Sequence, residues 1–125
     1  MTTAFWCILA ATISPLIPGL AAQIPGLTLD KLRWTRTRAQ SFIGWKQRAY
    51  YVQLNGWENL PGFSAAVIIA HILKVQQPTI DILALSFIGF RIAHALAYIA
   101  DSGVLRTLFW SGGLTCMVAL YVYAV

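Results

Sequence analysis

Arg48, Tyr51, Asn55 and Glu58 fall within a helical arc of roughly 80°, counting about 100° per residue. They stand in the stretch Arg48 to Phe63, RAYYVQLNGWENLPGF, and the chain then runs without a charge to Lys74. A carboxylate among such apolar neighbours needs a partner or a wet cavity, because hydrocarbon offers it no solvation. Arg91, His94 and Tyr98, at i, i+3 and i+7, share a second arc of roughly 60°. Arg91 is too far from either end of its apolar run to reach water comfortably. The expectation is therefore an ion pair between Glu58 and Arg91, which on its own could be purely architectural. His94 alone would read as a satisfied interior histidine. On the same stripe as Arg91 and Tyr98 it reads better as cavity lining. Arg106 follows a tight Asp101-Ser102-Gly103 turn, which places it at a depth similar to that of Arg48 and Tyr98. No group of cysteines and histidines has ligand spacing, so no metal site is expected.

These residues need long helices to hold them. The chain has 125 residues, 58% of them hydrophobic and 10% charged, with a net charge of +5. That composition departs from a soluble globular average, and the length suits one domain, residues 1–125. Four runs approach the roughly 20 residues that a bilayer requires: Thr3 to Ala22, Trp57 to Val75, Ile80 to Ala100 and Val104 to Val125. The expected fold class is an all-α integral membrane protein, a four-transmembrane-helix up-down bundle. Pro15 and Pro18 predict a bend in the first span, and Pro61 a loosening of the second. Met1-Thr2-Thr3 lacks the positive region of a signal peptide, so the first span is expected to stay. Cys7 and Cys116, inside the first and last spans, read as small packing residues.

The charges cluster. Gly26 to Lys46 holds Lys31, Arg33, Arg36, Arg38 and Lys46, five of the nine basic residues, against the single acid Asp30. Charge this localised beside long apolar runs excludes nucleic acid as the partner. Short cytoplasmic loops collect Lys and Arg, which predicts a cytoplasmic first loop and both termini on the opposite side. The same cations could form a rim that attracts an anionic substrate or lipid headgroups.

RAYYVQLNGWENLPGF resembles the second-helix signature of the MAPEG family, the membrane-associated proteins of eicosanoid and glutathione metabolism. RIAHALAYIADSGVLR resembles the third-helix signature and the arginine after it, as seen in prostaglandin E synthase-like members. The style of both motifs is similar to the bacterial branch, which implies a bacterial inner membrane. The resemblance implies a homotrimer of four-helix bundles with glutathione bound between subunits near the cytoplasmic side. It implies that Arg48, Asn55, Glu58, Arg91, His94 and Tyr98 bind that thiol co-substrate. It also implies that Arg106 is the catalytic group that stabilises the thiolate, which is the nucleophilic form of a thiol. One position departs from the pattern: Tyr51 stands where tight glutathione binders carry an arginine, so a bidentate carboxylate grip is missing.

Two functions follow from this. The first is a glutathione-dependent transferase or peroxidase acting on lipophilic electrophiles or hydroperoxides that enter from membrane lipid. The second, favoured by Tyr51, is a non-enzymatic lipid-binding or scaffold protein, or an accessory subunit of a larger membrane complex. A proton or ion conduit is disfavoured, because the chain shows no inverted repeat or pair of broken helices.

Overall fold

In the computed structural model, which describes residues 1–125, Pro15 shapes the first span. Without an N–H it cannot bond back to Ala11. The helix therefore breaks into α1 (Thr3–Ile13) and α2 (Leu16–Gln23). Pro18 falls in the first turn of α2, where a missing N–H costs nothing. The indole of Trp57 donates to the Thr12 carbonyl beside the break, at 3.4 Å. Gly56 lies against the Pro15 ring so closely that a Cβ there would collide with it. The expected bend is present, and a second helix is fitted to it.

A 3-10 turn over Asp30–Trp34 and the short α3 (Thr35–Gln40) lead into α4 (Trp45–Ile72). This helix starts 12 residues before the expected span and ends three residues short of it. It is continuous through Pro61, so the anticipated loosening does not interrupt it. Its 28 residues give about 42 Å at 1.5 Å each, enough to cross a bilayer by length. Lys46, Arg48 and Glu58 make it more polar than the rest. Three stretches are both long and apolar enough to span: Thr3–Gln23, α5 (Gln77–Ile99) and α6 (Gly103–Tyr123). There are no strands.

α4 and α5 end in the same way. Lys74 (φ 59°) and Asp101 (φ 64°) adopt the left-handed conformation. One residue later, Val75 N–H bonds to Ala70 O and Ser102 N–H to Ala97 O, each at 3.0 Å. Such caps satisfy terminal carbonyls and reverse the chain sharply. α6 therefore packs chiefly along α5, and α4 touches α1, α2, α5 and α6.

The main core lies toward the Ile72–Gln77 end. Phe63, Val67, Ile80 and Leu120 are at most 1% exposed. Phe63 and Phe87 stack with centroids 3.9 Å apart. Asp81 accepts from Ala4 N–H at 2.8 Å and from the Gln77 amide at 2.9 Å, which satisfies one orphan donor at the start of α1. Cys7 and Cys116 are free and buried. A smaller cluster of Ala22, Ala39, Phe42 and Ala49 closes the other end. Ile17, Ile72, Ile82, Leu96, Leu108 and Val122 remain more than half exposed, an outer surface suited to lipid rather than water.

Candidate functional site

The Asp101 turn sends α6 back along α5 in register, so that Arg106 returns to the level of His94 and Tyr98. His94, 3% exposed, meets the main-chain carbonyl of Arg106 through Nδ1 at 3.0 Å. A carbonyl only accepts, so Nδ1 carries a hydrogen. Nε2 is buried and has no partner in the chain. The Arg106 guanidinium lies over the Tyr98 ring, 4.6 Å from its centroid. His94 meets Tyr98 edge to face at 5.6 Å. The charge of Arg106 is thus positioned by a ring face, and its backbone by a histidine.

α4 contributes the remaining wall. Arg91 donates through Nη2 to Asn55 Oδ1 at 2.7 Å, a charge-assisted bond in an apolar setting. Asn55, His94, Tyr98, Arg106, Thr107 and Trp110 line an open cavity of about 210 Å³, polar in that four of these six residues are polar. Thr107 and Trp110 were not expected there. Trp110 stands four residues after Arg106, so extending the helical spacing from Arg106 would have found it.

Four of the seven expected site residues, Asn55, His94, Tyr98 and Arg106, come together around this cavity. Arg91 reaches it only through Asn55. Its own side chain lines a second cavity, of about 320 Å³ and mainly apolar, with Pro15, Pro18, Gly56, Leu60 and Ala95 among the walls. That cavity arises because α1 packs on both α4 and α5, whereas α2 beyond the bend stays chiefly on α4. Arg48 is occupied at the end of α5, where Nε donates to Ile99 O at 3.0 Å and Nη1 lies 3.7 Å from Asp101. Glu58 is exposed on α4. The expected Glu58–Arg91 pair does not form in the chain, whose one salt bridge is Arg48–Asp101. Glu58 is set about 60° around the helix from Asn55, and the residue nearer the α5 contact takes the guanidinium. Tyr51 is exposed and accepts from Gln47 at 3.4 Å.

The model of the MAPEG family matches residues 3–125, essentially the whole chain. The chain belongs to the MAPEG family. It is accordingly an integral membrane protein, a reading that its three long apolar stretches support. MAPEG membership points to glutathione-related transferase, peroxidase or allied chemistry, and members generally use glutathione. Against curated proteins and against solved structures the chain has no match.

Proposed function

We propose that this MAPEG protein is a glutathione-dependent transferase or peroxidase that acts on lipophilic electrophiles or hydroperoxides. The observation that carries the proposal is Arg106, a guanidinium held over Tyr98 beside a polar cavity. A cation fixed next to a thiol lowers its pKa and keeps thiolate populated at neutral pH. The cavity's donor set suits a thiol peptide: Arg106 for the sulfur and the Asn55 amide for a backbone group. Arg106 holds the thiolate as its proton leaves to water, and the sulfur then bonds to the electrophilic carbon. As it does so, that carbon's bond to its leaving group breaks and the leaving group departs with the electron pair. With a hydroperoxide the thiol is the reductant: two thiols become a disulfide, and the hydroperoxide becomes an alcohol and water.

In this proposal α4 is the fourth span, the bundle is up-down, and three copies assemble. Glu58 supports that assembly, since an exposed carboxylate on a helix packed among spans calls for a partner from another copy. Arg48, Glu58 and Arg91 then act from the margins of the site, Arg91 by orienting Asn55. A mass measurement in detergent should give a trimer. A reporter fused to the C-terminus should read the side opposite the basic loop, which is cytoplasmic in this arrangement.

A second reading, a lipid-binding or accessory scaffold, is favoured by Tyr51, which offers no charge where a carboxylate would be gripped. One experiment separates the two. Titrating the purified protein with glutathione should raise thiolate absorbance to saturation. A flat response would leave the scaffold standing and the enzyme without support.

A further inference from the structure

Most of the chain's nine cations have work inside the fold. Arg38 clamps the end of α2, donating to Gln23 O at 2.7 Å and to Pro25 O at 2.8 Å. Arg48 ties α4 to the end of α5, Arg91 holds Asn55, and Arg106 covers Tyr98. Lys46 lies over the Phe42 ring at 5.9 Å. Arg33 and Arg36 are different: both are exposed, and neither side chain makes a hydrogen bond or ion pair within the chain; Lys74, at the opposite end of α4, is the one other cation so placed. Lys31, also exposed, reaches only the Gly26 carbonyl at 3.2 Å. The same segment leaves Leu29 85%, Trp34 65% and Ile43 83% exposed. It is nonetheless firmly seated. The Arg38 clamp, a Gln23-to-Thr35 bond of 3.1 Å and the buried Ala39 and Phe42 fasten it to α2 and α4.

We propose that residues 24–44 form a docking surface for the headgroups of anionic phospholipids in the bilayer that holds the chain. The segment starts where the first span ends at Gln23, so it lies at the level of the headgroups. Unpaired cations call for phosphate. Exposed leucine, isoleucine and tryptophan beside them call for the acyl and glycerol layer just below. A soluble anion would satisfy the first requirement and leave the second unmet. The surface is separate from the thiol cavity, and its test needs no catalysis.

The test uses the full chain in neutral detergent and follows uptake of phosphatidylglycerol against phosphatidylcholine by native mass spectrometry. Each cation near a charged headgroup layer is worth roughly fivefold, so the wild-type protein should prefer phosphatidylglycerol by at least about that factor. The preference should shrink as salt shortens the screening length. Lys31→Gln/Arg33→Gln/Arg36→Gln should bring the ratio close to one. Arg33→Lys/Arg36→Lys should keep it, because charge is retained. Equal uptake of the two lipids by wild type, or a preference that survives the triple substitution, overturns the proposal. So does full displacement of phosphatidylglycerol by inorganic phosphate at matched concentration, which would mark a site for free anions. If the triple variant does not fold, the salt titration of wild type and the lysine variant still decide.

Discussion

The two cavities of this protein lie on either side of one hydrogen bond, Asn55 to Arg91, and they are built in opposite ways. The larger follows from a break in a helix: Pro15 turns α2 away from α5, and apolar side chains line the gap. The smaller follows from a tight turn: Asp101 folds α6 onto α5, and a histidine, a tyrosine, an arginine and an asparagine converge. Volume therefore ranks them in one order and chemistry in the other. A space with a single guanidinium on apolar walls can shelter a lipophilic group but has nothing to activate it. A space with a fixed cation and an imidazole beside it can hold charge as it develops.

Arg106→Ala should separate the two cavities most sharply. Thiolate absorbance with glutathione at neutral pH should fall by about ten- to thirtyfold, because an unassisted thiol with a pKa of about 8.5 is only about 3% ionised there. Melting temperature and assembly should hardly change. If this variant unfolds instead, Arg106 belongs to the architecture and the polar cavity loses its distinction.

Asn55→Leu attacks the partition itself. Arg91 would keep its charge and lose its acceptor, at a cost of about 1.5–3 kcal/mol for a hydrogen bond to a charged group. Thermal unfolding should register that cost. Unchanged stability would mean that Arg91 finds another acceptor and that the bond divides nothing.

Arg48→Gln should do less. It removes a carbonyl contact at the end of α5 and a contact with Asp101. The Asp101 side chain is 73% exposed, so the ion pair is heavily screened and the total loss should stay under about 1 kcal/mol. High salt should erase part of the difference between the two proteins. A larger loss of thiolate than of stability would place Arg48 in the binding site after all.

The smallest expected effect is the most diagnostic. Ala95→Phe narrows the apolar cavity without touching Arg106, His94 or Tyr98. Thiolate absorbance should match wild type. A fall would show that the two spaces communicate through Arg91.

Much of this arrangement was legible from spacing alone. Asn55 on one stripe, His94 and Tyr98 on another and Arg106 after a tight turn are found together, because helical periodicity states which side chains share a face. The partner of Arg91 was not legible. An arc of roughly 80° includes both Asn55 and Glu58, and only the roll of α4 against α5 decides which of them faces the guanidinium. Opposite charge made Glu58 the natural choice, yet a neutral acceptor at 2.7 Å takes the place of a carboxylate that faces outward. The start of α4 escaped for a related reason. Hydropathy marks where a helix can enter lipid, whereas Trp45 to Asn55 is helical by its backbone bonds and polar in composition. Pro61 was expected to weaken a helix that tertiary contacts on several sides hold intact.

The Asp101 turn also bears on the order in which the protein folds. His94 and Arg106 are only twelve positions apart, so the loop that must close to join them is short and its entropic penalty small. α5 and α6 form a helical hairpin whose contacts are local in sequence, the kind that form fastest. Two of the three walls of the polar cavity thus assemble within one hairpin, before α4 need be docked. The apolar cavity has no such shortcut, since its walls are brought together from residues 11 to 99. A complete chain refolding from the unfolded state would acquire the geometry around Arg106 early and shelter for a lipophilic group late.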